Sequence, residues 1–191
     1  SGSYSYVEFN PSGDLSDFTI SLHAKANSIG QLETLFELQH YQNGILFRPS
    51  NAQIQLYING SSWFPSYTRD NDWHHYVLTR ESGNLRIIVD NQEILSTTYN
   101  NNINISGSSY LGASRHAPYQ SWTGNISNFI IYKRALSDLE INELSNLQSA
   151  GLIDLYLQWN LEEGSGTVVN DESSNNITGT IYQATWENIA P

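Results

Sequence analysis

Residues 71–92 read NDWHHYVLTRESGNLRIIVDNQ, and this stretch decides the fold. Aromatic and β-branched residues are concentrated here with a dominant period of two, so strands are expected near His74–Arg80 and Leu85–Val89. Between them, Ser82-Gly83-Asn84 supplies residues that tolerate the positive φ of a tight turn. The stretch is therefore predicted to form an antiparallel hairpin.

The strand signal continues along the rest of the chain. In residues 18–24, FTISLHA, the apolar side chains fall on one face and the polar ones on the other. Further strands are predicted near Tyr4–Phe9, Phe18–Ala26, Leu32–His40, Gly44–Pro49, Gln53–Ile58, Ser108–Gly112, Gly124–Tyr132, Asp154–Trp159 and Thr180–Trp186. One helix is predicted over residues 138–147, where Ser137 and Glu140 have the spacing of a capping box. Many strands with one short helix predict an all-β sandwich.

Three blocks of the sequence resemble the laminin-G-like domains of the concanavalin A-like lectin/glucanase superfamily. They are the hairpin of residues 71–92, the strand-to-helix segment of residues 124–141, and the segment of residues 156–181 that contains EEGSGT. The resemblance implies an antiparallel β-sandwich of the jelly-roll type that spans residues 1–191 as a single domain. The opening Ser1-Gly2-Ser3 is interpreted as a cloning remnant.

Composition limits the partners of the chain. It has a formal net charge of −11, 14% charged residues and only eight Lys and Arg, which are scattered. Phosphate backbones and anionic membranes need clustered cations, so neither nucleic acid nor membrane is expected as a partner. No apolar run approaches the roughly 20 residues of a membrane helix. The absence of Cys excludes a disulfide framework and a thiolate zinc site.

Catalytic motifs are not found. Glucanases that share the architecture carry E-x-D-x-x-E on a strand, and this chain has no such motif and no H-E-x-x-H or G-x-S-x-G. The densest acidic cluster, Asp138, Glu140 and Glu143, lies on the predicted helix and is interpreted as its solvated face. His74 and His75 are adjacent in a strand, so they point to opposite faces and do not bind one metal together. The chain is predicted not to be an enzyme.

The loop at residues 170–176, NDESSNN, concentrates oxygen ligands without nearby positive charge, as Ca²⁺ prefers. Related domains often hold a structural calcium ion around this loop, so the resemblance implies Asp171 and Asn176 as ligands, with Glu163 as a weaker candidate. The alternative is an ordinary turn rich in Asn and Asp.

Aromatic residues in predicted loops mark a candidate sugar site. Sugar rings have apolar faces and polar edges, so their sites combine an exposed aromatic ring with hydrogen-bonding side chains. Residues 114–122, SRHAPYQSW, have that composition. The predicted ligand-binding residues are Arg115, His116, Tyr119, Gln120, Trp122, Trp63 and Tyr67. The competing interpretation is that Trp122 covers the sheet edge and Arg115 pairs with a surface acid.

These observations predict a carbohydrate-binding or adhesion module of a secreted or surface-displayed modular protein. Candidate parents are a bacterial adhesin, an enzyme with an accessory domain, and a viral receptor-binding tip. The expected partners are a glycan or glycosylated cell surface and the neighbouring modules of a longer protein. A structural or protein–protein interaction module is the alternative. A glycoside hydrolase of the same fold is a third hypothesis, whose motif is missing.

Overall fold

The computed structural model describes residues 4–27, 32–39, 43–115, 120–189 and 191. Its strands are Tyr6–Phe9 (β1), Asp14–Leu15 (β2), Phe18–Ala26 (β3), Phe36–Leu38 (β4), Ile45–Pro49 (β5), Ile54–Ile58 (β6), Ser61–Trp63 (β7), Trp73–Glu81 (β8), Asn84–Val89 (β9), Gln92–Thr98 (β10), Ile103–Asn104 (β11), Ser109–Leu111 (β12), Gly124–Tyr132 (β13), Leu155–Trp159 (β14), Val168–Val169 (β15) and Gly179–Tyr182 (β16). An α-helix, α1, spans Asp138–Ser145. The predicted all-β antiparallel sandwich with one short helix is confirmed.

The strands form two large antiparallel sheets. One has eight strands in the order β15-β16-β1-β12-β4-β5-β6-β7, and the other has six in the order β10-β9-β8-β3-β13-β14. β2 and β11 form a small separate sheet. The hairpin predicted from residues 71–92 is present, because β8 pairs with β9 from Tyr76 opposite Val89 to Glu81 opposite Asn84. Its turn residues Ser82 and Gly83 have φ values of 48° and 84°.

The main core lies between the two large sheets. At one end, the Trp159 ring packs edge-on against Phe9, with ring centroids 4.7 Å apart, and lies 5.8 Å from Phe129. Gly179 on β16, in the eight-stranded sheet, has no side chain at this point, and a Cβ there would lie 2.7 Å from the Trp159 ring. Only glycine therefore lets β16 pass this close to the buried indole.

Helix α1 begins as the sequence predicts. The Ser137 hydroxyl accepts a hydrogen bond from the Glu140 amide, and the Glu140 carboxylate accepts one from the Ser137 amide. Arg134 donates to the same carboxylate at 2.6 Å, and this bond lowers the pKa of Glu140 to about 2. The helix ends two residues earlier than predicted, since Leu147 already has a φ of 59°. None of the described residues forms a helix long and apolar enough to cross a bilayer.

Sequence patterns missed several edge elements. β10 lacks a regular alternation of apolar and polar residues, and most of its side chains remain exposed or half-buried. β7 consists of two serines and Trp63, directly after the Asn59-Gly60 turn. The predicted strand at Leu32–His40 is only three residues long in the structure, and the one predicted at Thr180–Trp186 ends at Tyr182. β7 and β10 are edge strands, and edge strands with one solvated face carry a weak apolar pattern, which explains why these two were missed.

Candidate functional site

The outer face of the eight-stranded sheet carries a row of aligned side chains. Strand pairing places them side by side across seven strands, and their sequence neighbours Val7, Leu111 and Phe36 point into the core. The aligned residues are Thr180, Glu8, Tyr110, Glu37, Leu46, Tyr57 and Ser62. We call the surface formed by this row and its same-face neighbours the open face.

Three tyrosines gather at one end of the open face. The rings of Tyr6 and Tyr182, on paired strands, are stacked with centroids 4.8 Å apart and an interplanar angle of 22°. Tyr110 meets Tyr6 edge-on at 5.7 Å. We call Tyr6, Tyr110 and Tyr182 the tyrosine cluster. Burial, followed by the charge of Glu8, raises the pKa of both Tyr6 and Tyr110.

Arg115, predicted to bind ligand, reaches the open face beside this cluster. Its backbone amide donates a 2.6 Å hydrogen bond to the Glu37 carboxylate, which is only 1% exposed although it lies on an outer face. The Arg115 side chain is exposed, and its charge opposes the rise in the pKa of Tyr110. Among the described residues, no acidic side chain pairs with Arg115. His116 and Tyr119 lie outside the described residues.

The segment that contains Arg115 leaves and rejoins the sheet at one point. The Trp122 amide donates to the carbonyl of Gly112 at 2.7 Å, so the two ends of the segment meet. The Thr34 amide donates to the carbonyl of Gln120 at 2.6 Å, which ties the returning strand to the chain just before β4. Gln120 itself is half-buried. The base of the predicted loop is therefore held by backbone hydrogen bonds.

Trp122 packs into the base of this loop. Its side chain is 5% exposed, and its indole N–H donates to the carbonyl of Asn125 at 3.3 Å. The Arg69 guanidinium lies 4.9 Å from the Trp122 ring and forms a buried ion pair of 3.1 Å with Glu33. This placement agrees with the competing interpretation of Trp122 as a packing residue, because a ring this buried has no free face on which a sugar can stack.

Trp63 and Tyr67 do not lie with Arg115 on the open face. Trp63 pairs with the inward-pointing Leu56 and packs edge-on against Tyr99, with ring centroids 5.8 Å apart. The Tyr67 hydroxyl lies 3.2 Å from that of Tyr76, and burial raises the pKa of Tyr67 to about 12. Trp63 and Tyr67 are both partly buried and pack against the edge of the core.

Tyr67 lines a separate hollow of about 450 Å³ at the rim of the sandwich. There the His74 imidazole bridges two carboxylates, with Nδ1 2.6 Å from Asp90 and Nε2 3.0 Å from Asp70. The hydrogen bond to Asp90 is the main cause that raises the pKa of His74. His75 is buried on the opposite face of the sheet, where its ring stacks on His23, so the two side chains point to opposite faces as the strand alternation predicts.

The predicted calcium ligand Asp171 is surrounded by protein donors. One carboxylate oxygen accepts from the amides of Gln158 and Ser173, both at 2.9 Å. The other accepts from the Ser173 hydroxyl at 2.7 Å and from the Ile177 amide at 2.9 Å. Four hydrogen bonds occupy the lone pairs that a cation would need, so Asp171 fits the role of a loop-organising carboxylate.

The other two predicted ligands are less fully bonded. The Asn176 Nδ2 group donates to the carbonyl of Ser174 at 3.2 Å, and Glu163 Oε1 accepts from the amide of Asn170 at 2.7 Å, while the buried Oε2 of Glu163 has no hydrogen-bond partner among the described residues. The described part of the chain holds no group of three or more His, Asp or Glu side chains placed to bind a metal ion. Protein donors occupy Asp171, and calcium binding stays a prediction.

Sequence reasoning missed the tyrosine cluster. The alternation in β1, where Val7 and Phe9 point inward, places Tyr6 and Glu8 on the outer face. That signal was available in the sequence. The strand order that brings Tyr110 and Tyr182 to either side of β1 was not, because these strands are about 100 and about 175 residues away from β1 along the chain.

Comparison with protein families agrees with this architecture. The sequence profile of the concanavalin A-like lectin/glucanases superfamily matches residues 1–142. The chain belongs to this superfamily. The resemblance noted in the sequence is therefore confirmed. A comparison with curated proteins gave no significant match.

Solved structures with low sequence identity share the fold. A Bacteroides ovatus protein named a "putative carbohydrate binding protein" has a TM-score of 0.72 and 15% identity over 94% of this chain, which spans 58% of that protein. A heptameric pentraxin from Limulus polyphemus has a TM-score of 0.67 and 12% identity, with 96% of this chain and 91% of that one covered. The CBM40 domain of a Ruminococcus gnavus sialidase, solved with α2,3-sialyllactose, has a TM-score of 0.57 and 13% identity, with 68% and 83% covered.

Proposed function

We propose that this chain is a non-catalytic glycan-binding module of a secreted or surface-displayed protein, and that it holds its ligand on the open face. The observation that carries the proposal is the juxtaposition of the partly exposed tyrosine cluster with Arg115. Aromatic rings cover the apolar face of a sugar, and a guanidinium donates several hydrogen bonds to its oxygen atoms. Carbohydrate binding by related structures, as their names describe it, supports the same conclusion.

The loop that carries Arg115 suits recognition. Its two ends are tied together at Gly112 and Trp122, and the buried Glu37 carboxylate holds the Arg115 backbone. A backbone anchored at Arg115 in this way loses little conformational entropy there when a ligand binds. Loops held by a rigid sheet also tolerate sequence change without loss of the core. Arg115 therefore has a defined position and a free charged end.

A glycan array, read with the wild-type protein and Arg115→Ala, tests the proposal. We expect selective glycan binding by the wild type and a loss of at least about tenfold in affinity for Arg115→Ala, the effect of one charge-assisted hydrogen bond. Lys25→Ala, which removes a cation from the six-stranded sheet, serves as the matched control and should bind like the wild type. A blank array together with specific capture of a protein partner would instead establish an interaction module.

A further inference from the structure

We infer that Glu8 and the tyrosine cluster form a subsite for an uncharged sugar ring, and that Glu8 makes the module prefer neutral over acidic glycans. This inference rests on the proposed function and names the class of ligand for one part of the open face. It concerns residues that lie on the far side of Tyr110 from the loop of Arg115.

The tyrosine cluster offers a platform of the right size. Tyr6 and Tyr182 stack across the β1-β16 pair, and Tyr182 remains 41% exposed. Tyr110 meets Tyr6 edge-on, at an interplanar angle of 72°. Because Tyr6 and Tyr182 cover one face of each other, the free face of the Tyr182 ring and the edges of the rings are what a sugar can contact.

Glu8 lies at the centre of this platform. It pairs with Tyr110 on one side and with Thr180 on the other, and Tyr6 is its same-face neighbour. Its side chain is half-buried, and its carboxylate forms no hydrogen bond or ion pair with any residue that the structure describes. A partly desolvated carboxylate without a partner is costly, and hydroxyl groups of a ligand would satisfy it.

The charges around the subsite determine what it accepts. Glu8 is the acidic group that acts on both Tyr6 and Tyr110, and Arg115 acts on Tyr110 from the loop side. The remaining cross-strand neighbour, Thr180, is neutral. A sugar carboxylate placed on the stacked tyrosines would face Glu8 in a partly desolvated site, where like charges repel strongly. A neutral ring donates its hydroxyl hydrogens to the same carboxylate.

A glycan array that carries neutral, uronic-acid, sialylated and amino-sugar oligosaccharides tests this inference. We expect the wild type to bind neutral glycans at least about tenfold more tightly than acidic ones. Glu8→Ala and Tyr182→Ala should each weaken neutral binding about tenfold or more. Glu8→Gln should keep neutral binding within about threefold, because its amide retains an acceptor, and should reduce the discrimination against acidic sugars.

The control is Leu139→Ala, which removes a 68% exposed apolar side chain from α1, on the side of the other sheet, and should bind like the wild type. Equal or tighter binding of acidic sugars by the wild type would overturn the inference, and so would unchanged binding by Glu8→Ala and Tyr182→Ala. If Arg115→Ala alone loses binding, the inference fails while the proposed function stands. If the wild type binds no class of glycan, the proposed function fails.

Discussion

The two outer faces of the sandwich differ in how far they are covered. On the six-stranded sheet, α1 covers the outer face and closes a second apolar cluster around Val77, Ile130 and Ile141. On the eight-stranded sheet, the outer face carries tyrosines, acids and hydroxyls, and Tyr182 remains exposed. The outer face of the six-stranded sheet thus contributes to stability through α1, whereas the open face is only partly covered, with Glu37 and Leu46 buried in the middle of its row. A ligand site on the open face can change while the second apolar cluster stays intact.

The covered face also contains two buried imidazoles. His23 and His75 lie under α1 with their rings stacked 4.6 Å apart, and His75 bonds to the Ser21 hydroxyl at 2.7 Å. His23 points toward the carbonyl of Ser145, the last residue of the helix. Burial is the main cause that lowers the pKa of both histidines. The open face has no comparable buried titratable pair among its described residues.

The largest effect is expected from removal of the helix contact. Ile141→Ala deletes a side chain that is 2% exposed between α1 and the sheet, so it should cost about 2–4 kcal/mol of unfolding free energy. Leu139→Ala, on the same helix but 68% exposed, should stay within about 0.5 kcal/mol. Urea unfolding measures both. Equal stabilities of Ile141→Ala and Leu139→Ala would show that α1 does not cover a core. Glycan binding should be unchanged in both variants.

The second-largest effect is expected from a fall in pH, which destabilises the fold through His75. Its pKa is about 3 in the folded protein, against about 6.5 when unfolded. The unfolded chain therefore takes up a proton first, and stability should fall by about 2 kcal/mol between pH 7 and pH 5. His75→Gln, which can still bond Ser21, should show a shallower pH dependence in urea unfolding.

His74 changes stability in the opposite direction. Asp90 raises its pKa, so its contribution is fully present below about pH 6.5 and is lost as the pH rises through the folded value. The contribution of His74 is the same in the wild type and in His75→Gln. The difference between the pH dependences of their unfolding free energies therefore reports on His75. If the unfolding free energies of the wild type and His75→Gln changed equally with pH, the pH dependence could not be assigned to the buried pair of His23 and His75.

The smallest effect concerns the seam between the two sheets. Asp171 links the amide of Gln158 on β14 to that of Ile177 before β16, so Asp171→Ala should cost about 1–2 kcal/mol. Glu172→Ala, an exposed neighbour, is the control. The loss should persist in EDTA because protein donors fill the carboxylate. A wild-type melting temperature that falls in EDTA, with no such fall for Asp171→Ala, would support calcium binding instead.

Local patterns predicted the centre of the fold well. The bounds of β3 and β13 match the prediction, and the capping box located the start of α1. These elements carry a strong signal because one face is buried or because the capping side chains are three residues apart. The exposed edge strand β10 was missed for the opposite reason.

The candidate site was predicted less well. Arg115 lies on the open face, whereas Trp122 is a packing residue under Arg69 and Trp63 packs against Tyr99. The composition of a loop does not show which of its aromatic residues are buried, since packing partners such as Arg69 come from distant parts of the chain.

By itself, the sequence determined most of the strands with a buried face, the helix start, the acidic and cysteine-free character of the chain, and its superfamily, because each depends on residues close together or on totals over the chain. Only the tertiary structure decided which face α1 covers and which side chains meet on the other. Tyr6, Tyr110 and Tyr182 come from strands that are distant in sequence and adjacent in the sheet. Such a cluster depends on strand order and register, which long-range packing sets.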